Sequence, residues 1–291
     1  MRMTEGALVL EGGSLRSMFT AGVLDVLTEE KIVLSYVNGV SAGTMAGMNY
    51  ITGQRGRMLR INEEYLHDKR YMGMRSLLKN RLVFNFDFVF GELSEQLIPF
   101  DYQAFFASPQ KFEAVATRCR TGKPEFFEKS QCREMIKAVQ ASASMPLLSR
   151  MVTVNHRKYL DGGISLPIAY QRAMDLGYEK VVLVLTRNRG YRKKPLSRMT
   201  VRAYKRYFAP LPRLLDSLYE VPERYNRMQE EIDRLEAEGR IFVTRPDQPV
   251  RVSRLEQNLG KLRALHREGI ETAKKRLPAL RAYLQIDGAP V

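Results

Sequence analysis

Ser41 stands between Gly39 and Gly43 in Gly-Val-Ser-Ala-Gly, after an apolar approach (Ile32, Val33, Leu34, Tyr36, Val37) and before small residues that open a helix. A serine at so tight a strand-to-helix turn needs neighbours two places away on either side that carry almost no side chain. The turn pushes the hydroxyl out of the backbone toward the positive end of the following helix, where an alkoxide or acyl intermediate is favoured. The chemistry is nucleophilic attack on a carbonyl. It needs a base for the serine proton and donors for the oxyanion.

The usual base is a histidine oriented by a carboxylate. His67 falls in a polar helix, His156 at a hairpin tip and His266 among the charges of the tail, so all three read as surface histidines. Attention therefore moves to Asp161, in Tyr-Leu-Asp-Gly-Gly. A carboxylate can take the serine proton directly if partial burial raises its pKa, and a glycine-rich loop beginning at Gly162 permits the close approach. A plain Asp-Gly turn is the alternative. The first glycine-rich turn, Glu11-Gly12-Gly13-Ser14-Leu15-Arg16-Ser17, lies between the apolar run Ala7–Leu10 and a helix. Backbone N–H groups in such a turn converge on one point and can cradle an anion. It is not the dinucleotide fingerprint, which needs G-x-G-x-x-G.

The elements that must position these residues follow from periodicity. Phe19, Val23, Val26 and Leu27 predict a helix over 18–30, and Ile32–Val37 predicts a strand feeding a helix near 44–51. Two strand–helix units with short links argue for parallel strands, whose carboxyl ends share an edge. Residues 57–68 read as a polar helix, Met72 to Leu82 as an apolar stretch, and Phe84–Phe90 as a strand by its alternation, either core or the wall of an acyl pocket. Further strands are predicted over 111–119 and 181–185, and a hairpin around Asn155-His156 delivers Asp161. Helices are predicted over 134–143, 168–176 and 213–238. The small-residue run Ala141–Met145 suits close packing beside a site. Ile241–Thr244 is one more strand. From Leu255 to Leu280 the tail is amphipathic helix with weak points at Gly260 and Gly269, expected to pack on the sheet.

Composition is that of a folded globular chain: 44% hydrophobic and 27% charged over 291 residues. Cys119 and Cys132 cannot build a disulfide framework and read as reduced thiols, and no metal cluster is formed from them and three scattered histidines. The start leaves no room for a signal peptide, and no apolar run approaches a bilayer span, so the expectation is a soluble, cytoplasmic protein, peripheral on the inner face of the membrane. Net charge is +15, and residues 187–291, with 24 Lys/Arg against 13 Asp/Glu, carry most of the excess. Nine basic residues and no acidic one lie between Arg187 and Arg206. Such a block favours an anionic partner, a phospholipid surface or nucleic acid, unless it is simply solvated.

Glu-Gly-Gly-Ser-Leu-Arg-Ser, Gly-Val-Ser-Ala-Gly and Tyr-Leu-Asp-Gly-Gly, in that order and spacing, resemble the patatin-like phospholipase family, whose pattern is G-G-G-x-R/K-G, G-x-S-x-G and D-G-G or D-G-A. Ala141–Leu148 and the tail are similar to a bacterial branch. The resemblance implies a three-layer α/β/α patatin-like fold with a mainly parallel sheet. It implies a catalytic core over 1–190 and a basic, helix-rich region over 191–291, with its strand near 241–244, packed on that core. Ser41 would be the nucleophile and Asp161 the base, with no metal or organic cofactor. Backbone amides of Gly12, Gly13, Ser14 and Ala42 would hold the oxyanion, and Arg16, Gly39, Gly43 and Gly162 would shape the motifs.

The implied activity is lipid acyl hydrolysis of the phospholipase A or lysophospholipase type, on phospholipid or another lipid ester at an anionic membrane surface. Nucleic acid is not expected, because no phosphate-loop or nucleic-acid motif accompanies the charge. Ser14 and Ser17 depart from the family glycines. A serine forced to positive φ would cost about 1 kcal/mol, and loss of one oxyanion donor about 100- to 1000-fold in rate. The rival reading is therefore a catalytically weak or inactive patatin-like protein that binds membranes or partners.

Overall fold

The computed structural model describes residues 3–71 and 84–286. The first two units form as the periodicity predicts: β1 (Thr4–Leu10) leads through a 3-10 turn at Ser14–Ser17 into α1 (Met18–Glu29), and β2 (Leu34–Val40) leads into α2 (Ala42–Thr52). Helices α3 (Arg57–Tyr65), α4 (Phe86–Phe90) and α5 (Tyr102–Ala107) precede β3 (Lys111–Arg118) and β4 (Pro124–Glu128). Then come α6 (Met135–Ser142), the hairpin β5 (Val152–Val154) and β6 (Arg157–Asp161), α7 (Tyr170–Asp175) and β7 (Val181–Val184). The chain continues through α8 (Arg198–Phe208), α9 (Pro212–Tyr219), α10 (Val221–Ala237), β8 (Phe242–Thr244) and α11 (Leu259–Leu284).

One eight-stranded sheet runs β5-β6-β3-β2-β1-β7-β8, with β4 on β3; β1, β2, β3, β7 and β8 are mutually parallel and the rest antiparallel. Strand alternation divides the core into two layers. Leu8, Leu10, Val37 and Phe112 pack with α1, α2 and α6 on one face. Ala7, Val9, Tyr36, Val181 and Leu183 pack with α7 and α10 on the other. The fold is thus an α/β/α arrangement around a mostly parallel sheet. No described helix is long and apolar enough to cross a membrane.

Four expectations need correction. Phe84–Phe90 is not a strand: the Asn85 side chain accepts from the Phe88 N–H at 3.3 Å and caps α4. Aliphatic Val89 between the aromatics lets the same residues satisfy a helical period, and the cap decides. The helix expected over 213–238 is broken after Tyr219, because Pro222 lacks an N–H and is accepted only in the first turn of a new helix. His266 is no surface residue; only 7% exposed, it bonds Asp25 Oδ2 through Nε2 at 2.9 Å across the α1–α11 contact. Gly269, finally, is no weak point in the unbroken 26-residue α11. A Cβ there would sit 2.2 Å from the Phe19 carbonyl, and one on Gly22 would sit 2.1 Å from that of His266. Two glycines thus let α11 lie directly on α1. The tail therefore packs mainly on a helix, meeting the sheet at β8, where Tyr283 stacks near Phe242. Strand β4 and helix α5 had no clear sequence signal, and the apolar stretch Met72–Leu82 lies outside the described residues.

Candidate active site

Strand β2 ends at Val40, and Ser41 takes φ 57°, ψ −128° before α2 begins at Ala42. The glycines at both flanks are required by space. A Cβ on Gly39 would lie 2.6 Å from Thr44 N and Cα, and one on Gly43 2.6 Å from the Leu10 carbonyl oxygen. The Ser41 N–H donates to Ser142 Oγ at 2.9 Å, and Ser142 Oγ also bonds Thr44 Oγ1 at 3.0 Å.

Asp161 arrives from the other end of the same strand edge. Strand β4 covers one edge of β3 over Glu113–Thr117, so β2 and β6 share the opposite edge. Strand β2 pairs in parallel with Lys111–Val115 and β6 antiparallel with Ala116–Arg118. Their carboxyl ends therefore meet end to end, Val40 opposite Val115 and Asp161 opposite Ala116. Gly162 lies tight against the Val115 carbonyl, where a Cβ would come within 2.2 Å. The Asp161 N–H donates to the Ser144 carbonyl at 2.8 Å, and Thr117 Oγ1 donates to the Asp161 carbonyl at 2.8 Å. The small-residue run thus holds both Ser41 and Asp161.

The Asp161 carboxylate accepts from the Gly163 N–H at 2.7 Å, and the Ser41 hydroxyl lies near enough to favour its charged form. Burial raises its pKa above the ordinary Asp value; the Gly163 hydrogen bond, the nearby Ser41 hydroxyl and the charges of Arg254 and Lys193 oppose the shift without cancelling it. A buried carboxylate that is a stronger base than usual, beside a strained serine in the same cavity, can accept that serine's proton.

The glycine-rich turn faces this pair. A Cβ on Gly12 would stand 2.8 Å from the Val40 carbonyl and 2.9 Å from Ser41 Cβ. Ser14 has φ 51°, so this position does require the left-handed backbone a glycine would take without cost, whereas Ser17, at φ −68°, does not. Ser14 Oγ donates to the Arg254 carbonyl at 2.7 Å. None of the hydrogen bonds among the described residues uses the Gly13 or Ser14 N–H. The Ala42 N–H opens α2, where helix geometry leaves it without an intrahelical acceptor.

Gly12, Gly13, Ser14, Arg16, Ser41 and Asp161 line one cavity of about 390 Å³. Ala42 lines a second cavity of about 70 Å³ that shares Ser14, Ser41 and Met145 with the first, together with Met18, Met45, Met58, Phe84 and Phe86. Gly39, Gly43 and Gly162 line neither and act through packing. His67 and His156 are exposed, and no described group of three side chains could hold a metal.

Sequence reasoning missed several residues of the large cavity: Glu11, Arg187, Lys193, Tyr225 and Arg254. Glu11 is buried, accepting from the Thr186 N–H at 2.6 Å and the Tyr225 hydroxyl at 2.9 Å. Arg16 is buried too; burial, then Arg187 and Arg254, push its pKa down to about 10. Lys193 Nζ sits 4.1 Å from the centre of the Tyr225 ring. Burial, then Arg254, push its pKa down to about 8. The basic block contained Arg187 and Lys193, but nothing in the sequence separates them from their neighbours.

An α/β/α sheet thus brings a serine and an aspartate together where the ends of β2 and β6 converge. Residues 8–171 match the family model described as patatin-like phospholipase, and this chain belongs to that family. Residues 211–285 match a second model, a domain of unknown function (DUF6363). An uncharacterized protein of Escherichia coli (strain K12), YjjU, is 27% identical over 184 residues, which cover 62% of this chain and 51% of that protein. The match thus spans about half the length of that curated relative. Among solved structures, VipD from Legionella pneumophila is similar at a TM-score of 0.45 and 12% identity, covering 94% of this chain and 67% of that one.

Proposed function

We propose that this protein is a serine acyl hydrolase acting on carboxylic esters of lipids. The observation that carries the reading is the placement of Ser41, on its left-handed turn, beside the buried carboxylate of Asp161 in one cavity. Asp161 takes the hydroxyl proton as Ser41 Oγ attacks the ester carbonyl, and the oxyanion is held by N–H groups of Gly12, Gly13, Ser14 and Ala42. The alcohol leaves with a proton returned from Asp161, and water then releases the acyl-Ser41 ester by the reverse use of the same groups. The Met- and Phe-lined cavity beside Ala42 suits the acyl chain.

The same proposal divides the chain near residue 190 into a catalytic core and a basic, helix-rich region. Within that region α8 exposes Met199 (79%) and Tyr207 (56%) beside Arg198, Arg202, Lys205 and Arg206. Leu196, Thr200 and Tyr204 from the same stretch line the large cavity. A basic face with protruding apolar side chains at a cavity mouth favours an anionic phospholipid surface.

Ser41→Ala should abolish ester turnover and covalent labelling by a fluorophosphonate, with the thermal melt unchanged. Labelling that persists in the variant would remove Ser41 from the mechanism. Liposome co-sedimentation of a wild-type protein that hydrolyses nothing across a broad ester panel would favour a binding module instead.

A further inference from the structure

The large cavity is unequal in charge. Arg16, Arg187, Lys193 and Arg254 all line it, as does the exposed Lys194; the charges of Arg187 and Arg254 push the Arg16 pKa down, and those of Arg254 and Arg16 push that of Lys193 down. Among the described residues none of the four belongs to an ion pair. Their close neighbours in sequence do: Arg189 bonds Glu236, and Arg192 lies 3.7 Å from Glu230. The two carboxylates inside the cavity are already engaged, Glu11 by Thr186 and Tyr225, and Asp161 by Gly163. Arg16 Nε is buried without a partner.

These cations are also held in place. The Lys193 backbone is pinned on both sides by Asn226, N–H to Oδ1 at 2.8 Å and Nδ2 to the carbonyl at 3.1 Å. The Arg187 guanidinium lies 4.3 Å from the centre of the Tyr191 ring and reaches the Val250 carbonyl at 3.3 Å. The Arg254 carbonyl takes the Ser14 hydroxyl at 2.7 Å, which ties this residue to the glycine-rich turn. Gathering five like charges around one partly buried cavity is unfavourable unless an anion fills it. A phosphate offers several charged oxygens to such a cluster, and arginine can meet two of them at once.

The geometry points to a phosphate subsite beside Ser41, built by Arg16 of the glycine-rich turn together with Arg187, Lys193 and Arg254. The substrate it takes is a phosphorylated glycerol ester whose acyl chain enters the adjoining apolar cavity that shares Ser41. This rests on the hydrolase reading, and it predicts discrimination: esters carrying a phosphate are preferred over neutral esters of the same chain.

The test separates binding from turnover. Ser41→Ala protein is titrated by calorimetry with octanoyl glycerophosphate, octanoyl glycerol and inorganic phosphate. The phosphorylated lipid should bind at least about 10-fold tighter than the neutral one, the scale of one hydrogen bond to a charged group. Lys193→Gln or Arg254→Gln on that background should each remove most of this margin, while Arg189→Gln and Arg192→Gln should leave it.

Equal binding of the two lipids, or a margin that survives both Lys193→Gln and Arg254→Gln, overturns the subsite. Tight binding of inorganic phosphate without preference between the lipids would mark a free-anion site and overturn the headgroup assignment. If Lys193→Gln fails to fold, the exposed Arg254 still decides the outcome. Fluorophosphonate labelling of the wild type reports separately on the hydrolase reading: its absence would sink that reading and leave the binding margin to be judged alone.

Discussion

Two strand–turn–helix units lie side by side in the sheet, and each places a serine in left-handed backbone, Ser14 at φ 51° and Ser41 at φ 57°. Each conformation costs about 1 kcal/mol or more for a residue with a Cβ. The partners that hold them differ. Ser41 is fixed through its N–H by Ser142 and stands beside Asp161, all within the first 161 residues. Ser14 is held by the carbonyl of Arg254, 240 residues further on. The turn of the proposed nucleophile is therefore complete within the early part of the sheet, while the turn that faces it leans on the C-terminal segment. A serine in place of the family glycine keeps its N–H and gains a tether that glycine could not make.

The sharpest way to break this comparison is at the self-contained turn. Asp161→Asn should lower ester turnover by about 100- to 10,000-fold, the usual span for a general base. It should also raise the melting temperature at neutral pH. Burial raises the folded pKa of Asp161, so the folded state binds this proton more tightly than the unfolded chain. Stability is then lost as pH rises from the unfolded Asp value through the folded one, and the loss is complete above both. The amide removes that loss, and scanning calorimetry below the ordinary Asp pKa should show no such gain. The same shift places the acid limb of the kcat/KM profile above the ordinary Asp range, and a limb at or below it would contradict Asp161 as the base.

A smaller effect is expected at the tethered turn. Ser14→Ala keeps the backbone strain and removes the hydrogen bond to Arg254, so kcat/KM should fall by up to about 10-fold. Ser14→Gly removes the tether and the strain together. Wild-type kinetics and melting in Ser14→Ala would erase the distinction between the two turns; a Ser14→Gly protein faster than wild type would show that the strain matters and the tether does not.

The smallest effect concerns Lys193, whose pKa burial and Arg254 push down to about 8. It faces Arg16 and Arg254 as like charges and Glu11 and Asp161 as opposite ones. Its charge is present below that value and lost as pH rises through it. Preference for the phosphorylated over the neutral ester should therefore decline severalfold, about 10-fold at most, between neutral and more alkaline pH. A ratio of the two kcat/KM values that is flat across this range would count against Lys193 as a headgroup contact.

Local pattern made much of the molecule readable. Both strand–turn–helix units, the hairpin that ends at Asp161 and the buried strand Val181–Val184 follow from apolar periodicity and glycine placement. The aromatic run at Phe86–Phe90 did not, because both periods fit it and a single capping side chain, Asn85, decided. Gly269 and His266 were misread for a related reason. A glycine inside a helix is a weak point when nothing touches it, and a histidine among charges is a surface residue when nothing covers it. Here α1 touches and covers both, with Phe19 against Gly269 and Asp25 against His266.

By itself the sequence determined the three motifs, their order and the strands and helices that carry them, because each rests on neighbours a few residues away. Tertiary structure decided which groups share a cavity. It set β2 and β6 end to end along β3, so that Val40 and Asp161 meet opposite adjacent residues. It also sorted the basic block, turning Arg189 and Arg192 toward glutamates and Arg187 and Lys193 toward Ser41. Charge along a chain is additive and can be counted. Whether a charge is paired depends on what another part of the chain brings opposite it, and only the folded arrangement settles that.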